Sequence, residues 1–145
     1  MLPTPLPALQ RAEPANQIHL LLWEAPRALE LEQLATYTNA QRASYRDDLL
    51  QRLNTRSNFL NLDRYLDREL VALKAMCDRA PHSLILLEDF DWLLTYLRAR
   101  PGGGNLKLLW SNLRQTRKLP CRLWIVLPPA LAPKDWPAER RLALA

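Results

Sequence analysis

The sequence contains only three glycines, and all three lie in one run at positions 102–104. Turns that hold phosphate groups need glycines directly after a strand, because successive backbone N–H groups must point at the phosphate. The first lysine is Lys74, so no basic side chain of that type lies near the N-terminal strand pattern either. These two shortages exclude an ordinary phosphate-binding loop and a glycine-rich dinucleotide fingerprint.

Cysteine and long apolar runs are also scarce. The two cysteines, Cys77 and Cys121, are too few for a disulfide framework or a four-ligand zinc site, and their apolar neighbours predict two buried thiols. No apolar run reaches the roughly 18 residues that cross a bilayer. Residues 1–7 are not typical of a signal peptide. We therefore expect a cytoplasmic protein that does not contact a membrane.

Proline is concentrated near the N-terminus, at positions 3, 5, 7 and 14. Proline fixes an extended backbone and removes a hydrogen-bond donor, so residues 1–16 are predicted to form a flexible tail. Residues 17–145 contain no repeat and no linker pattern, and the whole chain is 48% apolar and 24% charged. This composition predicts one globular domain over 17–145.

Short apolar segments bounded by proline or polar residues predict strands at 17–23, 83–87 and 122–127. Weaker patterns predict further strands at 58–62 and 141–144. Continuous apolar runs are typical of strands that are covered on both faces, as in a parallel sheet.

The segments between these strands have the apolar spacing of helices. We predict helices over 28–54, with a break near Thr38 and Asn39, over 64–79 with Asp63 as N-cap, over 90–99, and over 106–118 with Asn105 as N-cap. Alternating strands and helices predict a three-layer α/β/α domain with a mostly parallel sheet of four or five strands. A flavodoxin-like strand order stays open.

Three of the strand patterns carry a family resemblance. The apolar run that ends in Glu88 and Asp89 looks like a Walker B strand, and residues 20–23 look like the strand that leads into a phosphate-binding loop. Residues 125–127 are similar to the strand that ends in a polar sensor residue. In this order the chain resembles a P-loop NTPase of the AAA+ or STAND type.

At the positions where P-loop NTPases carry the residues for hydrolysis, this sequence has different residues. The segment 24–30 (EAPRALE) has no glycine, lysine, serine or threonine, and Pro26 removes a donor from it. The acid pair is Glu88-Asp89, whereas the family usually places aspartate first, and Pro128-Pro129 stands at the sensor position. The resemblance therefore implies a non-catalytic scaffold that recruits or regulates a protein partner, with no cofactor and no catalytic residue.

Glu88, Asp89 and Asp91 form an acidic cluster after a predicted strand. These carboxylates suit magnesium, which would indicate an enzyme of another α/β type; alternatively, the two aspartates cap the following helix. His19 and His82 lie in no recognisable nucleophile motif.

The chain has a net charge of +5, and residues 98–122 contain seven basic and no acidic residues. With Trp110 as a base-stacking residue, this stretch predicts a nucleic-acid-binding accessory factor as the alternative function, although an acidic protein would fit equally well. Exposed tryptophans would favour a protein interface, and Trp92 and Trp136 are the expected ones. The basic residues are Arg98, Arg100, Lys107, Arg114, Arg117, Lys118 and Arg122.

Overall fold

A computed structural model describes residues 6–53, 66–80, 83–101 and 105–144. The strands are β1 (Ile18–Trp23), β2 (Gln41–Ser44), β3 (Leu84–Glu88), β4 (Arg122–Leu127) and β5 (Arg141–Leu144). The helices are α1 (Leu6–Arg11), α2 (Ala28–Thr38), α3 (Tyr45–Leu53), α4 (Leu66–Arg79), α5 (Asp91–Arg98) and α6 (Leu106–Gln115). No helix in these ranges is long and apolar enough to cross a membrane.

The strands form one five-stranded sheet in the order β2-β3-β4-β1-β5, and every pair is parallel. Leu20 of β1 lies opposite Ile125 of β4 and Arg141 of β5, which fixes β1 between these two strands. The expectation of a mostly parallel sheet is confirmed. The order also differs from the flavodoxin-like order, in which the first strand lies between the second and the third.

Two apolar cores cover the two faces of the sheet, because neighbouring residues of a strand point to opposite faces. Leu21 and Trp124 pack with α1 and α2 on one face. Leu20 and Ile125 pack with α3, α4, α5 and α6 on the other. The domain therefore has three layers, as predicted.

Strands β1, β3, β4 and β5 confirm the predictions for 17–23, 83–87, 122–127 and 141–144 to within a residue or two. Helices α4, α5 and α6 likewise confirm the predicted helices, although α6 ends at Gln115 rather than at 118. The predicted strand at 58–62 and the predicted N-cap Asp63 lie outside the described residues.

The prediction of helices over 28–54 is wrong after the break near Thr38 and Asn39, because residues 41–44 form the edge strand β2. Helix α2 ends at Asn39, whose left-handed backbone (φ 54°) closes the helix while the N–H of Ala40 donates to the carbonyl of Ala35 at 2.8 Å. The break predicted near Thr38 and Asn39 was therefore correct, but the strand that follows it was missed.

The prediction of a flexible tail over 1–16 also differs from the structure. Residues 6–11 form α1, and Leu9 is fully buried against the α2 face of the sheet. One buried leucine gives this short helix a fixed position, which the prolines around it did not indicate. Residues 1–5 lie outside the described part.

Candidate functional site at the carboxyl edge of the sheet

The carboxyl ends of β1 and β4 border a crevice. These strands are neighbours, yet β1 continues through α2 on one face of the sheet, whereas the connection from β4 packs on the other face. Such a reversal opens a space above the strand ends, which is where ligands bind in open α/β sheets. A cavity of about 350 Å³ lies here.

The three segments that carry the family resemblance meet in this cavity. The turn after β1 contributes Ala25 and Pro26, the end of β3 contributes Glu88 and Asp89, and the end of β4 contributes Pro128. In the sequence these residues lie at or just after the ends of three different strands, and the parallel sheet brings those strand ends together.

Arg42 of β2 occupies the acidic side of the crevice. Its Nε and Nη2 atoms donate to the two carboxylate oxygens of Glu88, at 2.6 and 2.9 Å, and its Nη1 donates to Glu32 at 3.0 Å. The hydrogen bond to Glu88 in particular raises the pKa of Arg42 above its ordinary value. A bidentate arginine–carboxylate pair is a strong and directional contact, so Glu88 is held in place by protein.

Asp89 is held in a similar way. Ser44 donates a hydrogen bond to its Oδ2 at 2.6 Å, and Asp89 has a left-handed backbone (φ 62°). Helix α5 takes Phe90 as its N-cap and has no side-chain capping hydrogen bond, so the proposed capping role of the aspartates is not seen. Within the described ranges, no group of three His, Cys, Asp or Glu residues is arranged to hold a metal ion.

The turn after β1 is built to start a helix. Arg27 is the N-cap of α2, and both its backbone N–H and its Nε donate to Oε1 of Glu30, at 3.0 and 3.1 Å. These hydrogen bonds lower the pKa of Glu30. Ala25 has a positive φ of 42°, a conformation that glycine adopts more readily than alanine. The Arg27 guanidinium is thus engaged by Glu30 and lies at the surface.

The seven basic residues of 98–122 fall into two groups, two that are hydrogen-bonded and partly buried and five that are exposed. Arg114 donates to Asp135 at 2.9 Å, and Arg122 donates to the backbone carbonyl of Gln10. Both residues are partly buried, and each guanidinium is already hydrogen-bonded within the protein. The remaining five side chains are exposed: Arg98, Arg100, Lys107, Arg117 and Lys118.

Two of the three tryptophans named from the sequence pack inside. Trp110 is partly buried and meets Phe90 and Trp136 edge to face, with ring centroids 6.3 and 5.8 Å away. Trp136 is 3% exposed, so the expectation that it is partly exposed is wrong. Trp92 is 46% exposed beside Asp91 of the crevice, and the Arg46 guanidinium lies 5.7 Å from its ring centroid.

His19 is buried in β1, where its Nδ1 lies 3.0 Å from the carbonyl of Gln17 and its ring stacks on Trp124 at 4.8 Å. Burial lowers the pKa of His19, and the charges of Arg140 and Arg122 lower it further. His82 lies outside the described residues.

Neither protein-family models nor curated proteins match this chain.

Proposed function

We propose that this chain is a non-catalytic interaction protein whose NTPase-like core serves as a scaffold for a protein partner. The observation that carries the proposal is the Arg42–Glu88 pair. Both oxygens of the Walker B-like glutamate are bound by a guanidinium at 2.6 and 2.9 Å. A bidentate guanidinium takes one acceptor site of each carboxylate oxygen and fixes the side chain against β2, so Glu88 is not free to turn toward a metal ion or an attacking water.

The resemblance to P-loop NTPases is supported by the meeting of its three segments in one cavity. A phosphate-binding turn, an acid pair and a sensor residue must surround the same nucleotide, so they have to converge. Here the turn, the acid pair and Pro128 do converge, although the residues at each position differ from those that hydrolysis needs.

The chemistry of the crevice disfavours a triphosphate. Pro26 has no N–H to donate, and no lysine stands in the 24–30 segment to balance phosphate charge. Among the described residues that line the cavity, Arg42 is the one basic side chain, and it is already paired with Glu88 and Glu32. Asp89 and Asp91 add negative charge, which repels phosphate oxygens.

The surface formed by Trp92 and Arg46 has the chemistry of a protein interface, and it adjoins the crevice residue Asp91 in the chain. Trp92 leaves 46% of its surface exposed, and Arg46 lies over its ring. Tryptophan and arginine are the residue types that most often dominate binding energy at protein interfaces. We propose that the partner contacts this surface.

Titration calorimetry with ATP and magnesium tests the proposal. We expect no binding tighter than about 10 μM, where a specific nucleotide site would lie. Arg42→Gln is the informative variant, because it releases Glu88 without rebuilding a phosphate-binding turn, and it too should bind no nucleotide. Turnover by the wild-type chain that disappears in Glu88→Gln would contradict the proposal.

The second candidate is nucleic-acid binding, and one observation favours it. Arg140 is 4% exposed and donates to the carbonyls of Ile18 and Arg114, at the end of α6. The pKa of Arg140 is lowered mainly by burial and further by the positive charge of Arg117. Arg117 and Lys118 are exposed just after α6, so two solvent-facing positive charges lie near this end of the helix and would attract phosphate groups.

Binding to single-stranded DNA and RNA at about 50 mM salt tests this candidate. Replacing Arg117 and Lys118 with glutamate should weaken binding and reduce its salt dependence by about one unit of slope per lost phosphate contact. Replacing Lys74 and Lys134, two exposed lysines outside the stretch, makes the same change in net charge. Equal losses in both double variants would show only a general charge effect and would contradict a specific site.

A further inference from the structure

The crevice at the carboxyl edge of the sheet has two chemically different sides. One side is apolar and comes from the turn after β1, from α2 and from the end of β4, with Pro26 and Pro128 among its residues. The other side is acidic and comes from the end of β3 and the start of α5, which contribute Glu88, Asp89 and Asp91. The cavity of about 350 Å³ lies in the size range of ligand pockets. It therefore suits a group that is apolar along its length and charged at one end.

The lining of the crevice is negative, although the chain as a whole has a net charge of +5. Three carboxylates and one guanidinium line it, which leaves two negative charges in excess: Glu88, Asp89 and Asp91 against Arg42. Because Arg42 binds both oxygens of Glu88, the excess charge belongs to the two aspartates. The positive charge of the whole chain disfavours general attraction of cations, so a cation that binds here does so through these two carboxylates.

Neither aspartate has a counter-charge in the described part of the chain. Asp89 accepts a hydrogen bond at 2.6 Å from the hydroxyl of Ser44, which carries no charge. Among the ion pairs of the described residues, none includes Asp89 or Asp91. An apolar wall thus faces two carboxylates that the folded chain does not neutralise, and a complementary ligand has to bring a positive charge.

We propose that the crevice is the binding site for an arginine side chain of the protein partner, whose guanidinium binds Asp89 and Asp91 while its stem lies along the apolar side. This inference rests on the proposed function and names the part of the partner that the crevice holds. Trp92 follows Asp91 in α5 and is 46% exposed. Residues next to the arginine in the partner therefore contact the surface formed by Trp92 and Arg46.

Arginine matches both sides of the crevice. Its methylene stem packs along apolar surface while its charged end stays with polar groups. Its guanidinium has five donors in one plane and is more weakly hydrated than the ammonium group of lysine, so it exchanges water for carboxylates more readily. Arg42 shows this chemistry at the same edge of the sheet, since it donates to both oxygens of Glu88 at 2.6 and 2.9 Å. A metal ion fits less well, because no three His, Cys, Asp or Glu residues of the described ranges are arranged to hold one.

The test is an NMR titration of the folded full-length chain, at low salt, with the capped tripeptide acetyl-leucyl-arginyl-leucyl-amide. This peptide has one positive charge with an apolar side chain on each side of it. We expect a Kd of about 1 mM or lower, with shifts of the amide signals of Ala25, Asp89 and Asp91 but not of Lys74, which is exposed on α4. The same peptide with citrulline, which has the shape of arginine without its charge, should bind about tenfold more weakly.

Two variants assign the charge that binds the peptide. Asp89→Asn and Asp91→Asn each remove one negative charge with little change in size, and asparagine readily adopts the left-handed backbone of residue 89. Each should weaken binding of the arginine peptide by about fivefold, and circular dichroism reports whether each is folded. Asp67→Asn and Asp78→Asn, which alter exposed carboxylates of α4, make the same change in net charge and should leave the Kd unchanged.

Several results would overturn the inference. These are equal affinity for the arginine and citrulline peptides, equal losses in the crevice and α4 variants, and amide shifts spread over the whole surface. Tighter binding of free L-arginine than of the capped peptide would also overturn it, because the occupant would then be a small molecule rather than a side chain of a partner. All of these results leave the proposed function standing, which fails separately if the chain binds ATP with magnesium tightly.

Discussion

Arg42 and Glu88 join two neighbouring strands through a bidentate ion pair at 2.6 and 2.9 Å. Their side chains are 28% and 17% exposed, so the pair is partly shielded from water. Ser44, two residues further along β2, binds Asp89 directly after β3. The edge strand β2 therefore satisfies both acids that the sequence places at the end of β3.

The first prediction concerns this pair. Arg42→Gln should lower the free energy of unfolding by about 1–2 kcal/mol, because it leaves Glu88 without its partner; this is less than for a fully buried pair, since water screens part of the interaction. Urea denaturation measures the loss. Arg27→Gln is the matched control, because the Arg27–Glu30 pair has an arginine side chain that is 83% exposed, and it should change stability much less than Arg42→Gln does. Equal effects of the two variants would contradict a structural role for Arg42.

The second prediction concerns the turn after β1. Ala25 has φ 42°, and a left-handed conformation costs a residue with a Cβ atom about 1 kcal/mol. Ala25→Gly should therefore raise the free energy of unfolding by about 0.5 kcal/mol, which a higher urea midpoint would report. The gain is smaller than the relieved strain, because glycine also gives the unfolded chain more conformational freedom.

The control for this change is Ala75→Gly in the interior of α4. There the backbone is helical, so the same replacement should destabilise the protein by about 1 kcal/mol. A loss of stability from Ala25→Gly as large as that from Ala75→Gly would contradict the strained turn.

The sequence was sufficient for most of the sheet because β1, β3 and β4 are buried on both faces and are therefore apolar except for one residue each, which is His19, Glu88 and Arg122 respectively. The strand β2 has no such signal. Its sequence is QRAS, it lies at the edge of the sheet, and none of its four residues is fully buried. Pairing with β3, which is a property of the folded sheet, makes this segment a strand.

The same limit applies to the site. The turn, the acid pair and Pro128 were named from sequence because each follows an apolar strand. Arg42 and Ser44 were not, because they belong to the strand that was missed, and nothing in the local sequence distinguishes Arg42 from the other arginines. The decisive contact of the crevice depends on the register in which Arg42 lies opposite Leu86 and Ser44 lies opposite Glu88.

The third prediction concerns the partner contact. Trp92→Ala should weaken capture of the partner from native extract by about tenfold or more, because an exposed tryptophan at an interface commonly contributes over 1.4 kcal/mol. Leu108→Ala is the control, since Leu108 is 51% exposed and lies on a different helix, α6. If a captured protein binds both variants as well as it binds the wild-type chain, the contact lies elsewhere.

The fourth prediction concerns pH. Burial lowers the pKa of His19 below its ordinary 6.5, so the unfolded chain binds a proton more readily than the folded one. The stability that comes from keeping His19 neutral is therefore present above pH 6.5 and is lost as the pH falls through the lowered pKa. Arg140 and Arg122 add to this effect by repelling a charged imidazole.

Urea midpoints of the wild-type chain and of His19→Gln, measured from pH 7.5 down to pH 5, isolate this contribution, because carboxylates titrate in both proteins. We expect the wild-type chain to lose more stability than the variant over this range. Lys134→Gln, which removes an exposed charge and leaves both histidines in place, serves as the control and should fall in parallel with the wild-type curve. A parallel fall of the wild-type and His19→Gln curves would mean that His19 is protonated as easily in the folded chain as in the unfolded one, which its burial against Trp124 argues against.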